Sequence, residues 1–496
     1  MTPVAALAGA WLAAVWAPPA APSVAREPRG EVVIDADQAP RPVDDAKYPV
    51  HGMARVGLGF GAVMEDPVAV VHPSLQLDFS ELSPVRLRFG APIRFRLIAR
   101  APDQRGVVRN ADWDEAGDAV AVLEQLDYAD QFVVGRAGHA AVDLHSGRLR
   151  GVGFGHRSLV RQYDNSLDVD RRRTGVDLRT EVEGKLLGQV ASFEAGLLVG
   201  DLAGSQILGA RAAGRWAGAG VGLTAVGDPN APRDLQQTAA PDPRFTRGRG
   251  GTLVPEGRRG VAGVSVDVSY LATDRWWWRV EPYLDLVALP GLGRGLHLGV
   301  DGDVTLGRRR RLQLGAVAEL TVSDRNYDPA YFDVFYVAER WLVPPVAVPD
   351  DRPDDHTTVA ASKWGFVERE NLAGAGGYGA LRLRHAQGVF AETGYQMRPG
   401  PRGHTWYLHG GLQLAAVELS LLVANRGRHG FVLKRAGALA ELDARVPVLK
   451  WMDVFGALGW LSAIRADPTA PPGGEATGLV TGAGYVVAGV GGRVPW

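Results

Sequence analysis

The 496-residue chain has no cysteine, which excludes disulfide frameworks, cysteine zinc sites, iron–sulfur clusters and thiol nucleophiles. It is also poor in lysine: Lys47, Lys185, Lys363, Lys434 and Lys450 are the only ones, and arginine supplies the rest of the 54 cations. So lopsided a preference reads as coding bias, and arginine richness alone is not taken as a binding signal. Neither sign of charge dominates, with 54 Lys+Arg against 55 Asp+Glu, so the basic footprint of a nucleic-acid-binding protein is missing. Long apolar runs are missing too. Beyond the N-terminal segment the longest uncharged stretch, 476–492, is broken by glycines and threonines, a poor composition for a helix that would need about 20 apolar residues to span a bilayer.

Charge is absent from residues 1–25, where Val4–Ala17 form an apolar run too short to span, followed by small residues with Ser23 and Ala25 at the −3 and −1 positions of a cleavage site. This reads as a secretory signal peptide, 1–25, without the usual basic start. Residues 26–51 follow as a polar, Pro-rich tail with no periodicity.

What the chain has in excess is glycine, 64 residues, together with alternation. From residue 52 onward, segments of ten or more residues alternate apolar with polar or small side chains, the period-two signature of a strand with two unlike faces. Val264, Val266, Val268 and Tyr270 oppose Ser265, Asp267 and Ser269; Leu296, Leu298, Val300 and Val304 oppose His297, Asp301, Asp303 and Thr305. A soluble sandwich and an outer-membrane barrel both produce this pattern, with the apolar face turned to a core or to lipid. Strand length favours the barrel, because a tilted membrane strand needs about 9–11 residues whereas soluble strands average about 5–6. Loop lengths favour it again. Twenty strands fit 52–496, eighteen nearly as well, and the long connections 99–130, 158–173, 229–259, 324–374 and 465–476 all fall on one rim. The expected fold is therefore all-β: one large antiparallel transmembrane barrel of 18–20 strands over 52–496, both termini on the short-turn side. Strands are expected at 131–143 and 148–157 among others. One amphipathic helix is expected in a loop, Asp114–Tyr128, where Ala119, Val122, Leu123 and Leu126 make a stripe.

The chain ends on an alternating strand closed by Trp496, which resembles the signal that the barrel assembly machinery reads in bacterial outer-membrane barrels; Pro495 departs from it. A second resemblance lies in Asp112-Trp113-Asp114-Glu115, Gly155-His156-Arg157-Ser158, Tyr163-Asp164-Asn165 and Arg173-Thr174-Gly175-Val176, which look like segments of a group of uncharacterised bacterial outer-membrane barrel proteins. Arg157 and Ser158 depart from that group's Gly-Thr. The resemblance implies a barrel, with no substrate and no catalytic residues to carry over.

Chemistry is scarce. His139 with His145 and His404 with His409 lack converging ligands, so no metal and no cofactor are expected. Gly-x-Gly strings such as Gly57–Gly61 sit inside strands and are not phosphate loops. His156 and Ser158 with Asp164 form a conceivable rim triad, but an enzyme is not the expected reading. Trp276, Trp277, Trp278 and Trp406 read as membrane-interface aromatics. The polar faces supply candidate lumen residues of both signs: Arg86, Arg88, Arg94, Arg96, Arg179, Arg279, Arg382 and Arg384 against Asp177, Glu181, Glu183, Glu281, Asp285, Asp301 and Asp303. The expected function is a porin-like channel for small solutes in the outer membrane of a Gram-negative bacterium, reached across the inner membrane by the signal peptide. Its expected partners are outer-membrane lipid and the barrel assembly machinery, with oligomeric state open and nucleic acid excluded. The alternative is a non-conducting barrel with a structural, adhesive or surface-binding role carried by loops 229–259 and 324–374.

Overall fold

The computed structural model describes residues 50–495 except 64–65, 80–83, 99–106, 110–111, 114–115, 135–137, 166, 168–171, 237–243, 247–252, 276, 308–311, 342–360, 400–402, 415–416, 428–436 and 467–474. The expected signal peptide and tail, Trp276 and Trp496 lie outside the described residues.

Twenty strands run up and down in chain order, each bonded antiparallel to the next. They are β1 His51–Val63, β2 Asp66–Asp78, β3 in two pieces (Val85–Gly90 and Ile93–Arg96), β4 Leu123–Val134, β5 Gly138–Gly147, β6 Gly175–Leu186 and β7 Gln189–Val199. Then come β8 Leu208–Trp216, β9 Ala219–Leu235, β10 Pro255–Tyr270 with its continuation Thr273–Arg275, β11 Trp278–Leu289, β12 Gly293–Leu306 and β13 Leu312–Ser323. The last seven are β14 Gly374–His385, β15 Val389–Met397, β16 His404–Leu414, β17 Val417–Gly427, β18 Ala438–Leu449, β19 Met452–Ala466 and β20 Glu475–Pro495. β1 pairs β20 from Met53–Pro495 to Val63–Tyr485, so the sheet closes on itself and no edge is left. No helix of the described residues is long and apolar enough to cross a membrane.

Alternation places two different chemistries on the two faces. Val56, Leu58 and Phe60 of β1, Val264 and Val266 of β10, and Leu320 and Val322 of β13 stand exposed on the outside. Their neighbours one residue away turn into the barrel, among them Arg55, Ser265, Glu319 and Thr321. In water so much exposed apolar surface would aggregate; against acyl chains it is the matched surface. A closed antiparallel barrel with an apolar outside and a charged inside is the architecture of an outer-membrane protein.

Inward glycines make room for inward aromatic rings. A Cβ at Gly299 would collide with the ring of Tyr283, and one at Gly394 with that of Tyr407. Ring and glycine sit opposite each other on neighbouring strands, as the pairs Tyr283–Gly299 and Gly394–Tyr407 show. Gly299→Ala is therefore expected to destabilise the barrel by ~1–3 kcal/mol through overpacking, read as a lower midpoint of denaturant unfolding in lipid.

Two expectations fail in the first half. The Asp114–Tyr128 stripe is helical only over Ala116–Val120, and from Leu123 the chain is already strand β4. The β4–β5 hairpin thus occupies 123–147, displacing the expected strands 131–143 and 148–157 toward the N-terminus. Residues 148–157 are no wall strand at all. They enter the lumen.

Candidate functional site: the filled lumen

Two connections on the long-loop rim fold inward in their described residues, 148–165, 167 and 172–174 between β5 and β6, and 324–341 and 361–373 between β13 and β14. They meet as a two-stranded parallel sheet, Val160–Arg161 beside Phe332–Asp333. Backbone hydrogen bonds lock the junction, Ala330 N donating to Ser158 O at 2.9 Å and Phe332 N to Leu159 O at 3.0 Å. Around it lies a hydrophobic core inside the barrel. Leu149, Val152, Phe154, Leu159 and Tyr163 from the first loop pack with Tyr327, Tyr331, Phe332 and Tyr336 from the second. Trp364 and Val367 join them from the short helix Lys363–Arg369, and the wall contributes Leu198, Val226, Val261, Val287 and Leu289. Tyr163, Tyr327 and Phe332 have no exposed surface, so these loops form a plug packed like a protein interior.

Charge fastens the plug to two neighbouring sectors of the wall. Toward β11–β13, Ser158 Oγ bonds the Asp285 carboxylate, and Arg161 Nη2 donates to Glu319 at 3.0 Å. Glu319 also accepts from Tyr283 Oη at 2.7 Å and faces His297 Nδ1 at 2.9 Å, while His297 Nε2 lies 2.7 Å from the Tyr327 hydroxyl. Burial opposes charge on Arg161, but Glu319 outweighs it and the guanidinium pKa rises above its ordinary value. Toward β15–β18, Arg157 Nη1 and Gln162 Nε2 donate to Glu392 at 2.8 and 2.7 Å. Arg150 donates to Glu441 at 2.9 Å and to Asp443 at 2.7 Å, and Arg148 pairs with Glu441. Arg157 and Gln162 hold φ of 64° and 55°, the left-handed region that costs side-chain-bearing residues about 1–3 kcal/mol each, so the Glu392 clamp fixes a strained backbone.

The second loop is tied down equally. Arg340 pairs with Asp228 of β9 at 3.0 Å, and Tyr336 Oη donates to Asp228 at 2.8 Å; burial, then this carboxylate, pushes the Tyr336 phenol well above its ordinary pKa. Asp328, Asp333 and Glu339 face Arg398, Arg426 and Lys363 in a cluster of three acids and three bases, with Arg398–Asp328 at 3.0 Å and Arg398–Asp333 at 2.9 Å. Buried charges are tolerated only when paired in this way.

The candidate lumen residues fall among these networks or below them. Arg94 and Arg109 both reach Asp112, at 2.7 and 2.8 Å, and Arg96 reaches Asp66 at 3.0 Å. Arg86 lies 3.5 Å from Asp78, and Arg179 lies 2.9 Å from Asp177 and 3.2 Å from the Gly153 carbonyl of the plug. Toward the short-turn rim, Arg215 and Arg279 converge on Glu281, and Arg382 bridges Asp301 and Asp303. Asp285 belongs to the plug contact. Arg88 pairs in register with Gln76 and Gln125, Glu181 with Ala141 and Glu194, Glu183 with His139 and Ser192, and Arg384 with Gln313 and Phe390. Below the plug the lumen stays wet: the Glu194 side chain is 51% exposed and that of Asp301 33%.

The tryptophans divide between rims. Trp277 and Trp278, ring centroids 5.5 Å apart, sit at the short turn before β11, while Trp406 lies near the long-loop end of β16. The conceivable triad is not assembled. Ser158 bonds Asp285; His156 stacks on Tyr283 with centroids 3.9 Å apart and has Nε2 3.5 Å from Asp267; Asp164 is buried near Arg148. Among the described residues no three His, Asp or Glu side chains are grouped to hold a metal.

The plug residues Arg148, Arg150, Arg157 and Arg161 and their wall partners Glu319, Glu392 and Glu441 are not marked as a site by the sequence pattern. One signal for the plug was available: five aromatics within Tyr327–Tyr336 are too many for a loop in water.

No family model matches the chain, and no curated protein matches it. Among solved structures, the chain is similar to the ferric enterobactin receptor of Pseudomonas aeruginosa at 9% identity, covering 91% of this chain and 82% of that one, with a TM-score of 0.32. It is similar to OccAB3 of Acinetobacter baumannii at 9% identity, covering 90% and 99%, with a TM-score of 0.32. It is also similar to a variant of the Rh. blastica porin at 12% identity, covering 74% and 100%, with a TM-score of 0.26.

Proposed function

We propose that this protein is a narrow outer-membrane channel for small hydrophilic solutes, in which the two-loop plug restricts a barrel that would otherwise be a wide pore. One observation carries the reading. The plug is fastened to β11–β13 and β15–β18 and, across the barrel, takes a hydrogen bond from Arg179 of β6 at its Gly153 carbonyl, so it reaches from one side of the lumen to the other, while charged side chains below it remain in contact with water. An apolar outside and a polar, partly wetted inside suit passage of a hydrated solute, and mixed signs make a weakly selective path. Insertion would use the barrel assembly machinery, and lipid would surround the outward band.

Purified protein in planar bilayers tests the proposal. The expected result is discrete single-channel events of low conductance, which grow when the plug is undocked by substitution. Silence from the wild type and from undocked variants alike would overturn the channel reading and leave the barrel a structural or surface-binding role.

A further inference from the structure

Two hairpins overshoot the long-loop rim. β20 last pairs β1 at Tyr485–Val63 but extends on to Glu475, paired with β19 as far as Gly478–Ala466. β9 and β10 last pair their outer neighbours at Gly227–Leu208 and Val264–Ala288, yet continue together to Leu235–Pro255. At about 3.3 Å per residue these overshoots amount to ~30 Å and ~20 Å. The hairpins stand on opposite sides, since β10 and β20 are ten strands apart in a ring of twenty. A ring of twenty tilted strands is ~40 Å across, so the two together can bridge the mouth.

They do meet. Residues Arg244–Thr246, from the connection between β9 and β10, pair antiparallel with Glu475–Thr477 of β20 in the register Arg244–Thr477, Phe245–Ala476, Thr246–Glu475. Thr246 is bonded in turn to the top of its own hairpin: its N–H donates to Gln236 O at 3.1 Å, and Val254 N–H donates to Thr246 O at 3.1 Å. The connection is continuous from one side of the barrel to the other.

We propose that this three-residue sheet is a releasable strap across the mouth, and that solute enters the lumen when it opens; the proposal rests on the channel reading above. Two barriers lie on the path, and they differ in kind. The plug is held by buried ion pairs and a packed core, and its release would expose both. The strap is a short two-stranded pairing at the water-facing rim, a type that is only marginally stable on its own. It can open without unfolding the barrel or the plug, so it is the moving part.

The cysteine-free chain allows a direct test with the double variant Phe245→Cys, Ala476→Cys. Residues directly opposite in an antiparallel pair have Cα atoms ~4.5–5.5 Å apart, within the span of a disulfide. Oxidation is expected to form the cross-link, seen as a reducible mobility change of the denatured protein, and to lower conductance about tenfold, with recovery on reduction. Failure to cross-link overturns the pairing and the strap with it. A cross-linked barrel that conducts like the reduced one overturns the strap and leaves the channel reading intact. If neither wild type nor reduced variant conducts, the channel reading fails, and a spin label on Phe245→Cys alone decides the strap. A mobile component beside the immobile one supports a releasable strap; a single immobile spectrum shows a fixed cap and overturns it.

Discussion

Arg161→Ala is expected to undock the plug and to raise single-channel conductance. The substitution leaves Glu319 buried among His297, Tyr283 and Thr321 with its arginine partner gone. Removing one member of a buried ion pair costs ~3–5 kcal/mol, because the remaining charge has lost its compensation. Applied to a docked–undocked equilibrium, even ~3 kcal/mol shifts the ratio by more than about a hundredfold. Loop 148–174 should then become cleavable by protease added from outside, while the barrel keeps its heat-modifiable gel migration. The double variant Arg161→Met, Glu319→Gln removes both charges and is expected to recover most of the docking, since the cost lies in the orphaned carboxylate. An Arg161→Ala protein with unchanged conductance and protease resistance would refute the role given to this pair.

Leu284→Arg is expected to produce the second large effect, on the outside of β11. Leu284 pairs with Val268 of β10 and Leu298 of β12 in the apolar band, one residue from the inward Tyr283. An arginine at mid-depth on the lipid face costs ~2–4 kcal/mol, and the unfolding midpoint in lipid should fall accordingly. Glu194→Gln is the matched control. It lies on the wet inner face, half-exposed and 3.5 Å from Arg211, where a screened pair is worth ~0–1 kcal/mol. Equal effects from the two variants would contradict the assignment of faces.

The wall of this molecule is legible in its sequence because lipid and lumen impose opposite demands on alternate residues, as in Val264–Tyr270 and Leu296–Val304. The number of strands follows from counting such runs. The plug is not legible, for the same physical reason. Leu149, Val152 and Phe154 face a core inside the lumen, and their apolar side chains look no different in sequence from ones facing lipid, so 148–157 reads as wall. Asp114–Tyr128 misleads in another way. Leu123 and Leu126 fit a helical stripe by spacing, yet Leu126, Tyr128 and Phe132 also alternate with Gln125, Asp127 and Gln131, and pairing with β3 and β5 decides for strand. The ion pairs of the site join residues far apart in the chain, such as Arg161 with Glu319 and Arg150 with Glu441; only the closed ring brings them together.

The junction between Val160–Arg161 and Phe332–Asp333 has a consequence for how the molecule is made. Its halves are ~170 residues apart, so closing that loop carries an entropic cost that nothing repays until the strands between them are in place. β6 to β13 must be laid down before the halves can touch, and β15 to β18, which supply Glu392 and Glu441, lie further on still. The lumen is therefore expected to fill late in assembly, after the wall strands that hold the plug are in place. The packed lumen would then be a property of the closed ring and of no part of the chain taken alone.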